Sequence, residues 1–193
     1  MKEFIISRLR ESADLKLLFS KQATKEVIKA VNIIEKSLKS SGKILIFGNG
    51  GSAADAQHIA AEFVNRYLKE RNALPAIALT TDTSILTSIG NDNSFENIFS
   101  RQIEALGKKG DVAWGLSTSG RSRNVERALR VAKSFGLKTI GFTGGDGGEI
   151  KKIVDCNINV PSMSTPRIQE LHITIGHIIC ELIEDIFSNK RND

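Results

Sequence analysis

The stretch GKILIFGNGGSAADAQHIAAEFVNR, residues 42–66, passes from an apolar run through a glycine-rich turn into a segment of helical period. A short apolar strand followed at once by such a turn and a helix is the unit from which parallel sheets are built, so this stretch decides the fold class. The same alternation recurs on either side of it. KILIF (43–47), PAIAL (75–79), DVAWGL (111–116), KTIGF (138–142) and CNINV (156–160) read as strands. SAADAQHIAAEFVNRYL (52–68), NVERALRVAKSF (124–135) and TPRIQELHITIGHIICELIEDIF (165–187) carry helical period between or after them. Ahead of the first strand, Ile5, Leu9 and Leu15, then Val27, Val31, Ile34 and Leu38, recur at helical spacing and predict two amphipathic helices within residues 1–41. The expected organisation is one domain over residues 1–193, with 1–41 a helical extension and 42–193 an α/β core. No repeat, low-complexity tract or linker divides it.

Composition narrows the function classes. A chain of 193 residues, 40% hydrophobic and 25% charged, suffices for a full core. Its net charge of +5 comes from scattered residues such as Lys2, Arg8, Arg10, Lys108, Lys109, Lys151 and Lys152, without the clustered cations and interleaved aromatics of a nucleic-acid surface. The two cysteines, Cys156 in an apolar strand and Cys180 in a helical run, are expected as buried free thiols, which points to a reducing, cytoplasmic setting. MKEFIISRLRESADLKLL carries charges every few residues and lacks a signal-peptide core, and no window reaches the roughly 18 apolar residues of a membrane span.

Ligands of open parallel sheets bind beyond the carboxyl ends of the strands, where helix N-termini present free N–H groups. Three loops lie there. In GNGGSAAD (48–55), Gly48, Gly50 and Gly51 admit close approach of a ligand to the backbone, and Ser52 is placed to cap the helix or to donate to that ligand. The spacing is neither the dinucleotide fingerprint nor a nucleotide P-loop. LSTSGRS (116–122) sets Ser117, Thr118, Ser119 and Ser122 around Gly120, which reads equally as a phosphate cradle and as a run of N-cap residues. The glycines of TGGDGGEI (143–150) predict a tight turn.

Two helices carry the chemistry. His58 and Glu62, four apart, share one helix face. Alone they would be a surface hydrogen-bonded pair, but Ala53, Ala54, Ala56, Ala60 and Ala61 around them permit close packing against another element. In the last helix Gln169 and His177, eight residues apart, project from one side, whereas His172 points away. A constellation of His58, Glu62, Gln169 and His177 would suit either a divalent ion or proton transfer.

GNGGSAADAQHIAAE (48–62), TDTSILTSIGND (81–92), LSTSGRSRNV (116–125) and TPRIQELHITIGH (165–177) together resemble the sugar isomerase (SIS) domain family, and within it the bacterial phosphoheptose isomerases. The likeness spans almost the whole chain. It implies a three-layer α/β fold, with a five-stranded parallel sheet in flavodoxin-like arrangement flanked by helices, and a homotetramer with sites at subunit interfaces. It further implies one zinc ion (Zn2+) per subunit on His58, Glu62, Gln169 and His177, with Glu62 and His177 as the catalytic acid/base pair. Substrate contacts are implied for Asn49, Gly50, Gly51, Ser52, Asn91, Asp92, Ser117, Thr118, Ser119, Ser122 and Gln169, the serine loop taking phosphate. The expected reaction is enediol conversion of sedoheptulose 7-phosphate to D-glycero-D-manno-heptose 7-phosphate for lipopolysaccharide or surface heptose synthesis, with a sugar phosphate as partner and neither nucleic acid nor membrane. Two other classes are similar: a non-catalytic SIS adaptor of the replication-initiator-associating type, which shares the glycine turn, and a sugar-phosphate-sensing regulator, which shares the serine-rich loop. An adaptor has no use for an acid/base pair, and residues 1–41 show no helix-turn-helix.

Overall fold

The structure, a computed structural model, describes residues 1–188. Two helices lead, α1 (Lys2–Gln22) and α2 (Thr24–Lys39). There follow β1 (Ile44–Gly48), α3 (Gly51–Val64), β2 (Ala76–Ala78), α4 (Thr83–Asp92), α5 (Ser100–Leu106), β3 (Val112–Ser117), α6 (Arg123–Ser134), β4 (Lys138–Gly144), α7 (Ile150–Ile153), β5 (Cys156–Val160) and α8 (Thr165–Ser188). A short 3-10 turn, Phe95–Asn97, joins α4 to α5. The five strands form one parallel sheet in the order β2-β1-β3-β4-β5. This is the flavodoxin-like arrangement, whose strand order reverses between β1 and β3.

Alternation along the strands makes the three layers. Ile44, Ile46, Trp114, Phe142 and Ile158 face one side, where they pack with residues of α2, α3 and α8 such as Ile34, Ile59 and Ile179. Leu45, Phe47 and Ala113 face the other, against Ile103 of α5, Val125 and Leu129 of α6, and Ile150 of α7. With both faces covered, the central strands can be apolar at every position, which is why they read as continuous runs.

The stripe Val27, Val31, Ile34 and Leu38 finds its partner surface inside this chain, in the core shared with the sheet. On α1, by contrast, Phe4, Ile5, Leu9, Leu17 and Leu18 are exposed. Both cysteines are buried and free, and burial pushes the Cys156 thiol up to about 11. No helix among the described residues is long and apolar enough to cross a membrane.

The helical period after β1 runs on to residue 68, yet α3 stops at Val64. Tertiary bonds account for the difference. Arg71 takes the carbonyls of Glu62 and Phe63, at 2.6 and 2.8 Å, while the N–H groups of Tyr67, Leu68 and Lys69 turn to the Glu184 carboxylate on α8. The chain leaves the helix because both its donors and its acceptors are satisfied elsewhere.

Candidate active site

The loops after β1 and β3 flank the point where strand order reverses, the position at which sheets of this kind take their ligands. After β1 the chain turns at Gly50, whose φ of 55° is left-handed, and α3 begins at Gly51 without a side-chain cap. Ser52 therefore does not cap it, and it is buried. A Cβ on Gly51 would lie 2.7 Å from the Gln169 amide nitrogen, so this glycine lets Gln169 of α8 rest on the first turn of α3.

After β3, the Ser117 hydroxyl bonds to that of Ser122 at 2.9 Å, and Ser119 accepts from the Arg121 N–H. Ser122 occupies the N-cap position of α6 but makes no capping bond, so the N-cap reading of this loop does not account for its hydroxyls. The two loops are tied together by Asn49 and Asn124, whose side-chain amides exchange hydrogen bonds of 2.9 and 2.8 Å. Asn124 escaped the sequence reading; its place at the second position of α6, directly after the serine loop, was the available signal. Behind this loop, the glycines at 145, 147 and 148 form the expected tight turn, all with left-handed φ. Gly120 accepts a hydrogen bond from Ile150 at the end of that turn. Asn91 and Asp92, at the end of α4, are exposed and bond to each other at 2.7 Å.

Helices α3 and α8 lie side by side on the same sheet face and run in the same direction, with Gly51 beside Gln169 and Ile59 beside Gly176. Gly176 has no room for a Cβ, which would sit 2.8 Å from Ile59 Cδ1. That close approach brings their neighbours in sequence together. His177 Nε2 stands 3.3 Å from His58 Nε2, and His58 Nε2 stands 3.1 Å from Glu62 Oε1. Tyr67 stacks on His177, with ring centroids 5.4 Å apart and planes 28° from parallel. His172, five residues before His177, faces the interior and bonds through Nε2 to the Thr143 carbonyl.

Two imidazole nitrogens at this separation, with a carboxylate beside them, require a shared proton or a cation between them. The ligand atoms of His58, Glu62 and His177 all fall within 4.8 Å of one another. A tetrahedral zinc ion with bonds of about 2.0–2.1 Å has ligand–ligand edges of about 3.3 Å, close to the two separations from His58, 3.3 Å to His177 and 3.1 Å to Glu62. Gln169, the fourth residue of the expected set, rests instead at the first turn of α3, next to the glycine turn. Burial, and after it the neighbouring His58, pushes the His177 imidazole below the usual histidine range, against the opposite pull of Glu62. The shift favours the neutral imidazole, the form that accepts a proton or ligates.

One carboxylate in this region was not anticipated. Asp55, one turn before His58, keeps a buried Oδ2 without a partner, and burial raises its pKa more than His58 lowers it. A larger hollow of about 590 Å³ lies elsewhere, between α1 and the start of α8, and contains none of the expected residues.

The SIS domain family matches residues 9–144. A phosphoheptose isomerase of Aquifex aeolicus is 55% identical over 98% of this chain and 100% of its own length. One from Clostridium acetobutylicum is 52% identical, covering 98% of each chain. Among solved structures, the phosphoheptose isomerase of Neisseria gonorrhoeae superposes with a TM-score of 0.90 at 43% identity, over 95% of this chain and 98% of that one. That of Francisella tularensis gives 0.92 at 34% identity, over 95% and 97%. The strand order, the glycine turn and relatives matched from end to end agree: this chain belongs to the SIS domain family, among its phosphoheptose isomerases.

Proposed function

We propose that this protein is an aldose–ketose isomerase that converts sedoheptulose 7-phosphate to D-glycero-D-manno-heptose 7-phosphate. The observation that carries the reading is the meeting of His58, Glu62 and His177 from two helices, one of them the helix that the glycine turn begins. A non-catalytic adaptor would gain nothing from it.

In this reading the phosphate lies on Ser117, Thr118, Ser119 and Ser122, where hydroxyls and the uncapped start of α6 offer donors and the positive end of the helix dipole. Asn49, Gly50, Gly51 and Ser52 meet the sugar at the start of α3, Gln169 orients it from above that turn, and Asn91 and Asp92 complete the set. Glu62 removes the proton from carbon 1 of the ketose and returns it to carbon 2, while His177 moves protons between the two oxygens of the enediol. His58, Glu62 and His177, with Gln169 after a change of rotamer, would hold one zinc ion. When bound, the ion supplies Lewis acidity to the carbonyl oxygen. Glu62 has a second oxygen left for the carbon-bound proton in that case.

The reading extends to the whole protein as one SIS domain over residues 1–193, with 1–41 a helical extension on a 42–193 core. It is supported by the family match beginning inside α1 and by the α2 stripe packed into the common core. A homotetramer working in the cytoplasm, on a route to lipopolysaccharide or another surface heptose, belongs to the same proposal. Its supports are the exposed apolar side chains of α1 and the two buried free thiols. Incubation with sedoheptulose 7-phosphate, followed by NMR, tests the activity. The aldose product is expected, its formation slowing after chelation and recovering with zinc. No product from any loaded form would refute the isomerase reading, and full activity in rigorously metal-free protein would remove the ion from it.

A further inference from the structure

Behind the reacting side chains lies a buried ion pair that touches none of the atoms to be transformed. The side chains of Glu184 and Arg71 are 1% and 2% exposed, with Arg71 Nε 3.6 Å from Glu184 Oε1. Glu184 accepts the N–H groups of Tyr67, Leu68 and Lys69 at 2.7, 2.6 and 2.7 Å. Arg71 donates through Nη2 to the Glu62 carbonyl at 2.6 Å, and through Nη1 to the carbonyls of Phe63 at 2.8 Å and Asn72 at 3.0 Å. One carboxylate thus gathers the amides of a three-residue segment, and one guanidinium closes the last turn of the helix that carries Glu62.

Burying such a pair costs desolvation that apolar residues of similar volume would avoid, so stability alone does not explain it. Its placement does. Glu184 lies seven residues after His177 on α8, two turns along the same face. The first amide that it binds belongs to Tyr67, whose ring lies on His177. The pair therefore joins three things: the turn bearing Glu62, the segment bearing Tyr67 and the helix bearing His177.

We propose that Glu184 and Arg71 are positioning residues for the isomerisation, holding Tyr67 flat against His177 and fixing the helix turn from which Glu62 projects. The inference rests on the assignment of Glu62 and His177 as the reacting groups. Tyr67 acts by fixing the plane of the His177 ring; the ring itself is carried by α8 and meets His58 through Nε2, the two imidazoles lying 70° from parallel. Misplacement of a reacting group by a fraction of an ångström lowers turnover more than it lowers binding.

The test uses histidine-labelled protein, in which only His58, His172 and His177 contribute imidazole signals. The stacked tyrosine shields the His177 ring protons. Tyr67→Ala should move that signal downfield and lower kcat by about tenfold, with KM within about twofold, while Tyr67→Phe, which keeps the stack, should restore both. Glu184→Gln and the milder Arg71→Lys, which loses the fork to the Glu62 and Phe63 carbonyls, should shift the same signal in the same direction. An unmoved His177 signal in a folded Glu184 or Arg71 variant would overturn the proposal, as would an unchanged kcat in Tyr67→Ala. Should neither clamp variant fold, the Tyr67 pair decides alone. A wild type that isomerises no sugar phosphate sinks the functional reading instead, and the NMR signals still judge the geometry.

Discussion

His172 and His177 stand five residues apart on α8 and serve opposite purposes. His172 is wholly buried, and that burial lowers its pKa to about 4 despite the bond to the Thr143 carbonyl. In the unfolded chain it titrates near the ordinary value of about 6.5, so between these limits the unfolded state binds the extra proton. The stability due to a neutral His172 is therefore complete above about pH 6.5 and is lost as the pH falls toward 4, by an amount of order 3 kcal/mol. Denaturant titrations across that range should show this loss in the wild type, and His172→Asn should flatten it. At this scale the sequence was informative wherever spacing alone decides direction, as for His58 with Glu62 and for His172 against His177. It was silent on Asn124, Arg71 and Glu184, because their roles depend on partners tens of residues away in the chain, and on Asp55, because its burial is set by packing rather than by local spacing. Glu184 in particular sits in a helical run where a carboxylate reads as solvent-exposed.

Among the elements, the parallel contact of α3 and α8 makes the site. Every strand lies within two residues of its sequence-based position: the central strands, buried on both faces, leave continuous apolar runs, and β5 at the edge leaves an alternating one. Helices α4 and α5 left no such trace: α4 buries no residue and α5 has only seven, so neither imprints a long period. The available signal was Asp82, which caps α4 by accepting the Ile85 N–H at 2.9 Å. Close packing around the alanines was legible, but its counterpart at Gly176 was not, since a glycine inside a helix reads only as a loss of propensity. Gly176→Leu should cost about 1–3 kcal/mol through overpacking against Ile59. By separating His58 from His177 it should also lower kcat by more than about tenfold. Thermal denaturation and steady-state kinetics on the same preparation check both effects.

For the whole molecule, the fold class followed from alternating periods, and the open question is what covers α1. The stripe on α2 that asked for a partner is answered within the chain, whereas Phe4, Ile5, Leu9, Leu17 and Leu18 on α1 are not. Ile178 and Leu182, flanking the helix face that carries His177, are also exposed. Apolar surface of this kind is consistent with burial between subunits. Light scattering at micromolar concentration should give four times the chain mass of 21.1 kDa, and a monomer would count against the tetramer.

The central claim is that Glu62 carries the proton between the two carbons. Glu62→Gln keeps the volume and hydrogen-bonding reach of the side chain but cannot accept that proton. The decisive measurement is turnover of sedoheptulose 7-phosphate in deuterated solvent by wild type and by this variant, with circular dichroism to establish that both are folded. The wild type should exchange the carbon-1 hydrogen with solvent as it forms product, and Glu62→Gln should lose at least about 100-fold in kcat together with that exchange. A folded Glu62→Gln protein that turns over and exchanges at the wild-type rate would contradict the assignment.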